Sequence, residues 1–548
     1  MEIKTLSAID LSRPTLSDDP LYINRSWKEE LIYFLMVDRF HDGEEREVNF
    51  YQSNKTEQSF LLKRFGGTFR GIQAQLSYIK NLGCTTIWLS PVFQNYEKSY
   101  HGYAITNFLA TDPLLGSIEE LKELVKATHQ KGIRVVLDIV INHTADTWDY
   151  KEENPYYTGA AYSFGAWKDA DYPLPQELRN TNLYKKAGYI RNWDTYPETQ
   201  EGDIFELKKL ILDESPVGQE VVNMFIKIYS YWIKETGIDG FRLDTVKHLQ
   251  PSAVAAFCKG IKEYANYLGK DSFIIFGETV GDDALAGKYL KSVKTAQGFK
   301  KGLDAVLDFP LHFILEEVVK GKRPVKELYK VYRDKQKMLA KLNKSWSDLI
   351  VFADNHDQIG QEHKARLGYD ADEKEVLAII GFLYFLYGIP CLYYGTEQFF
   401  QGNGTHDCWL REPMFDKNEN KCFQNEESFL YHEIVALADL RKKTAIFMEA
   451  EIEIDYIAVN EGDFRSAEYT DEVIYWSKRV FEDKLIMLYN PLKTDIRSIC
   501  VKLSQNNHRI KSKLEYVYGK IGTVIVEEKE GFGYMKIDLN PQQFVILK

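Results

Sequence analysis

No apolar run in the 548 residues reaches membrane-spanning length. The opening stretch MEIKTLSAIDLSRPTLSDDP has no basic segment followed by an apolar one. A membrane partner is not expected, and the location expected is cytoplasmic, with a trimmed secreted chain as the alternative. Basic charge is in deficit: 69 Lys and Arg face 81 Asp and Glu, for a formal charge of -12. That balance repels nucleic acid and anionic surfaces and suits a neutral ligand. Cysteine is sparse, with Cys84, Cys258, Cys391, Cys408, Cys422 and Cys500 scattered and no CxxC pair. Free, mostly buried thiols are expected rather than a disulfide framework. No dinucleotide glycine fingerprint opens the chain. The histidines show no HxH or HExxH spacing, which argues against a metal-dependent hydrolase. Low-complexity segments and short repeats are also missing.

What is present is a globular composition, 44% hydrophobic and 27% charged. The length exceeds what one core serves, so two or three units are expected. Aromatic residues reach 14%, which suits either a generous core or a surface that stacks on flat ligand faces.

LIYFLMV (31–37) reads as a strand that runs into a loop at Asp38-Arg39-Phe40. In GIQAQLSYIKNLG, Ile72, Leu76, Ile79 and Leu82 share one helical face, with Gly83 placed to cap it. TTIWLS (85–90) is a buried strand. Ser117 and Glu120 form a capping box opening IEELKELVKATHQK, Gly132 closes that helix, and IRVVLDIV (133–140) is the next strand. Further strands are expected at 237–244, 272–278, 303–309, 348–354 and 388–395. Eight continuously apolar strands alternating with helices predict an α/β fold, a (β/α)8 TIM barrel, with a doubly wound sheet as the alternative.

About 95 residues separate strands three and four, too many for one crossover. The expected organisation is an arm at 1–26, a catalytic barrel at 27–142 and 216–445, and a subdomain at 143–215 inserted after strand three. Past 446, short alternating strands predict a C-terminal antiparallel β-sandwich to 548.

The strand ends carry the chemistry, because barrel active sites form at the C-terminal face. Strand three ends in Asp138, Asn142 and His143. Strand four ends in Arg242 and Asp244, followed by Lys247 and His248. Strand five ends in Glu278, and strand seven runs into Asn355, His356 and Asp357. Glycoside hydrolysis needs two carboxyl groups, one attacking the anomeric carbon and one protonating the leaving oxygen. Asp244 and Glu278 on neighbouring strands suit the short separation of retaining enzymes. Arg242, two residues before Asp244, shares its strand face and favours its ionised form.

At these residues the chain resembles the α-amylase family of glycoside hydrolases. DIVINH (138–143), GFRLDTVKH (240–248), FGETV (276–280) and FADNHD (352–357) look like that family's four motifs, in its order. The resemblance covers roughly 30 to 440. It implies Asp244 as nucleophile, Glu278 as acid/base and Asp357 as the third carboxylate. It also implies Arg242, His143 and His356 around the sugar whose bond is cut, with Tyr103 stacking on it and His101 beside. Lys247 and His248 match a pair on the leaving-group side, and Asp407 and Arg411 match a pair further along the glycone side. Ala104 and Asn107 depart from the family's Trp and Asp.

The function expected from the resemblance is retaining hydrolysis of α-1,4-glucosidic bonds in starch-type glucans or maltooligosaccharides. The alternative is a cyclomaltodextrinase, neopullulanase or glucan transferase on the same scaffold. A non-enzymatic amylase-like binding protein conflicts with the presence of all three carboxylates. No cofactor is expected for catalysis. Many members of the family hold a structural calcium through the Asn of the first motif, here Asn142. The matching subdomain stretch ELKKLILD (206–213) carries Lys209 where an Asp ligand would stand, so calcium is not expected.

Overall fold

The computed structural model describes residues 3–12, 23, 25–52, 57–295, 298–358, 361–459, 463–503 and 511–548. Eight strands, β1 (Ile32–Leu35), β2 (Thr86–Leu89), β3 (Arg134–Ile139), β4 (Gly240–Leu243), β5 (Ile274–Gly277), β6 (Ala305–Leu307), β7 (Leu349–Phe352) and β8 (Ile389–Tyr393), pair in parallel and close into a barrel in sequence order. Every residue of these strands is buried, because helices cover the outside and side chains fill the inside. Phe34 stacks on Trp88 at 3.8 Å, and Trp88 meets Phe276 edge-on at 5.5 Å.

The helices follow the chain's capping signals. Ser117 and Glu120 make the reciprocal capping box of Ile118–Gln130, and Gly132 leaves with φ +69°. Ser215 caps Pro216–Thr236, which ends on Gly237 at φ +72°. Two expectations need correction. The first helix is split into Phe69–Ala74 and Leu76–Asn81; the break falls at Gln75, whose amide meets His41 Nε2 at 3.2 Å. The sixth strand stops at Leu307, because the Asp308 carboxylate accepts from Leu311 N–H and starts the helix Phe309–Val319.

Between β3 and the helix at 216 the chain makes short strand pairs, His143–Thr144 with Lys208–Lys209 and Trp148–Tyr150 with Phe164–Trp167. Trp148 anchors them, with Tyr150, Phe164 and Tyr184 around it. The buried Lys208 ammonium lies 5.2 Å from the Trp148 ring centroid and pairs with Asp146 at 2.9 Å. Of the N-terminal stretch, residues 3–12 reach this region: Leu6 N–H donates to Glu177 at 2.9 Å.

After the last barrel helix, Phe429–Lys443, the chain forms a six-stranded and a five-stranded antiparallel sheet. One apolar core, including Tyr475, Ile486, Val501, Met535 and Val545, lies between them. Phe544 ties this unit to the barrel. Its ring packs on Phe382 at 5.3 Å and on Gly381, where an added Cβ would sit 2.4 Å from the ring. Among the described residues no helix is long and apolar enough to cross a membrane. All six cysteines are free and five are buried.

Candidate active site

Strand register assembles the site. Asp138 on β3 lies opposite Arg242 on β4, and Leu243 opposite Gly277 on β5. The residues just past β4 and β5 are therefore neighbours. Arg242, fully buried, meets Asp138 at 2.9 Å, Asp244 at 2.5 Å and Glu278 at 2.7 Å. Asp244 and Glu278 occupy different terminal nitrogens of the one guanidinium, so a single planar group sets their spacing. Asp244 uses Oδ1 in this contact. Glu278 Oε2 accepts from Thr245 N–H at 3.0 Å. Thr245 stands at φ +52°, unusual for a β-branched residue, and this sharp turn presents its N–H to Glu278.

One positive charge faces three buried carboxylates. Burial lifts Asp138 to about 6, against the pull of Arg242. Burial lifts Asp244 well above the usual carboxylate range, again opposed by Arg242 and reinforced by Glu278 and Asp138. Asp138 and Asp244 are therefore coupled, and each holds its proton to a higher pH than an ordinary aspartate. Asp138 is locked beneath the other two, accepting from Trp88 Nε1 at 3.1 Å and from the Tyr103 hydroxyl at 2.9 Å.

The Tyr103 hydroxyl also meets His356 Nε2 at 2.7 Å, and His356 Nδ1 lies 2.6 Å from Asn355 Oδ1. Burial holds His356 well below its ordinary pKa and takes His143 and His101 down to about 3, so all three rings are neutral at pH 7. His101 has both nitrogens engaged within its loop: Nδ1 accepts from Tyr103 N–H at 3.0 Å and Nε2 donates to Ser99 at 2.6 Å. His143 Nε2 donates to the Tyr103 carbonyl at 3.2 Å. Asn107 is turned into its own loop, donating to Gln94 and accepting from Leu109 N–H.

Asp357, half-buried, is hydrogen-bonded to Asp407. Burial, then Asp407, raises Asp357 to about 7, with Arg411 opposing. Asp407 stays ionised on Lys364. Arg411 is buried and donates to the His356 carbonyl at 2.8 Å, with the Tyr100 hydroxyl at 3.3 Å. On the opposite side of the mouth, Lys247 pairs with Asp194 and His248 Nδ1 donates to the Thr199 carbonyl at 2.7 Å. Beside them stands a pair that sequence reasoning missed. Trp193 lies edge-on to His248 at 6.0 Å and 5.3 Å from Phe205, which is 65% exposed. Phe205 also sits at φ +53°. In sequence the first half of the inserted subdomain is crowded with Tyr, Trp, Pro and Asn, but that enrichment does not single out either residue.

The calcium position expected from the resemblance is held by a side chain. Lys209, buried, donates from Nζ to Asn142 Oδ1 and, at 2.9 Å, to the His248 carbonyl. Its ammonium thus engages the oxygens a cation would use and would repel one. Burial lowers this lysine to about 7. The residues present do not fit Ca²⁺, and among the described residues no cluster of three or more His, Cys, Asp or Glu is placed to hold a metal.

With this geometry established, comparison with known proteins is direct. The family profile "Alpha amylase, catalytic domain" matches residues 34–451. The chain is 32% identical over 445 residues to a beta/alpha-amylase of Paenibacillus polymyxa, covering 75% of this chain and 32% of that protein. It is 31% identical over 443 residues to an alpha-amylase of Streptomyces lividans, covering 69% and 46%. The chain thus spans a third to a half of the length of these curated relatives. The structure of an alpha-amylase from Geobacillus thermoleovorans, solved with acarbose, superposes with a TM-score of 0.70 at 24% identity, covering 96% of this chain and 99% of that one. The chain belongs to the α-amylase family.

Proposed function

We propose that the chain hydrolyses α-1,4-glucosidic bonds of starch-type glucans or maltooligosaccharides with retention of configuration. The observation that carries this reading is the single Arg242 guanidinium holding Asp244 and Glu278 side by side. In the first step Asp244 Oδ2 attacks the anomeric carbon, and the glycosidic C–O bond breaks as its oxygen takes a proton from Glu278. Both Glu278 oxygens face donors in the resting site, so one must leave its donor when the leaving oxygen arrives. In the second step Glu278 deprotonates water, which attacks the same carbon and releases Asp244. Asp357 grips sugar hydroxyls at the transition state. Tyr103 supplies a stacking face held by Asp138 and His356. His101 supports Tyr103 by ring stacking at 5.7 Å, because both its nitrogens are taken. Arg411 acts through the His356 carbonyl, and Asp407 through Asp357.

No calcium takes part in this reading; Lys209 supplies the positive charge that joins the end of β3 to the loop after β4. EDTA is therefore expected to leave activity and Tm unchanged. A fall in Tm of several degrees, reversed by Ca²⁺, would show that the lysine does not exclude the metal.

The Trp193–Phe205 pair, with Phe205 exposed and Trp193 half-buried, favours a second reading, glucan transfer. Aromatic faces beside Lys247 and His248 can hold an acceptor sugar while the glycosyl group is on Asp244, so the intermediate divides between sugar and water. One digest series tests both readings. Starch, maltoheptaose, β-cyclodextrin and pullulan are offered, with products and anomers followed by NMR. The expected first products are α-anomers from at least one substrate, and inertness toward all four would remove the hydrolase reading. Phe205→Ala is expected to lower the ratio of transfer to hydrolysis about three- to tenfold, the worth of one ring contact. An unchanged ratio removes the acceptor role.

A further inference from the structure

A cavity of about 510 Å³ lies away from the three carboxylates, between the loop after β1 and the loop after β8. Its size is that of a small-molecule site. Phe60, Phe65 and Trp409 line it and are only half-buried. Trp409 rests on Gly404, where an added Cβ would sit 2.3 Å from the ring, which fixes the indole in place. The side-chain amides of Gln52, Gln401, Asn403 and Asn418 are also in the lining.

Among the described residues the lining holds no histidine, cysteine or serine, so it suits binding rather than covalent chemistry. Its charges offset one another. Arg64 is paired with Asp112 at 2.8 Å, Lys417 lies 3.5 Å from Asp42, and Glu412 and Asp416 stand in the same lining as Lys63. A neutral ligand is favoured over an anion. Flat rings for the apolar faces of a pyranose, with amides that donate and accept to neighbouring hydroxyls, are the chemistry of neutral sugar recognition.

The cavity also shares a wall with the active site. Trp409 belongs to the single turn Asp407–Leu410. That turn begins with the partner of Asp357 and is followed by Arg411, which holds His356. We propose that this cavity is a second α-glucan binding site, separate from the subsite where the bond is cut, which takes glucosyl units of a long chain. The proposal rests on the glucan-hydrolase reading for the identity of its ligand. A site of this kind raises the affinity for polymer without touching the chemistry, since linking two weak contacts along one chain acts through effective concentration.

The experiment is a calorimetric titration of the full chain carrying Asp244→Asn with maltotriose. Two sites are expected. Phe60→Ala combined with Gln401→Ala is expected to remove one of them, weakening it at least about tenfold, while Phe60→Tyr retains it. In the active chain the double substitution is expected to lower kcat/KM for starch several-fold and to leave hydrolysis of 4-nitrophenyl α-maltoside unchanged. An unchanged Tm establishes that the variant is folded. A single maltotriose site, or a second site that survives the double substitution, overturns the proposal. If the unsubstituted chain cleaves no α-glucan, it is the hydrolase reading that fails; the titration still decides whether the cavity binds a glucan.

Discussion

Asp244→Asn is expected to lower kcat by on the order of 10⁴-fold or more, with the fold intact. The amide conserves volume and can still accept from Arg242, but it cannot form the glycosyl ester. Stability is expected to hold or rise. Asp244 is 6% exposed, and burial, reinforced by Glu278 and Asp138, holds its pKa above the ordinary range. Removing one of three acids around one guanidinium relieves like-charge crowding, and Arg242 keeps Asp138 and Glu278. Near-normal turnover of maltooligosaccharide by a folded Asp244→Asn chain would sink the assignment. The acid limb of the pH–rate profile follows from the same cluster. Asp138 is raised to about 6 and Asp244 is raised as well, so protonation of this pair, and loss of the ionised nucleophile, begins above the usual aspartate range as pH falls.

Glu278→Gln is expected to have the second largest effect, about 10²- to 10⁴-fold on maltooligosaccharides, the usual worth of a positioned general acid. The loss depends on the leaving group. An α-glucosyl fluoride departs with little protonation, so its first step is spared, whereas a sugar alkoxide is not. The substitution also disturbs the local contacts. Glu278 faces donors on both oxygens, Arg242 and Thr245 N–H, and a glutamine must turn its NH₂ toward one of them. A modest fall in Tm is therefore expected beside the kinetic loss. Equal slowing of the fluoride and of maltoheptaose would remove Glu278 from the acid role, and a β-anomer as first product would exclude double displacement for the chain.

Much of the architecture was legible because each barrel strand is buried on both faces and so reads as an unbroken apolar run. All eight runs are strands. The polar residues ending them were legible as a site because their side chains must leave the core together at one rim. The adjacency of Asp244 and Glu278 follows from consecutive strands in a barrel, which needs no coordinates. Lys209 was legible as an ammonium standing where a calcium ligand would, able to bridge to Asn142; its second contact, with the His248 carbonyl, was not.

What lay outside the sequence has a common cause. The helix break at Gln75 accompanies a contact with His41, a residue of the preceding loop. The end of β6 turns on whether Asp308 caps a helix or continues a strand, and periodicity alone supports either. Tyr103 bridging Asp138 and His356, residues 35 and 253 positions away, is a meeting of one barrel strand and two loops. The cavity joins side chains from 51–65 with those from 401–423. Burial periodicity, capping residues and the order of strand-end acids are properties of short stretches, and the sequence by itself determined them: the barrel, the inserted subdomain and the candidate acids. Which nitrogen of His101 or His143 is already engaged, where Thr245 points its N–H, and which rings stay exposed beside His248 depend on loops distant in the chain. Only the tertiary structure decided these, because hydrogen-bond partners and packing across such separations leave no periodic trace in the residues that make them.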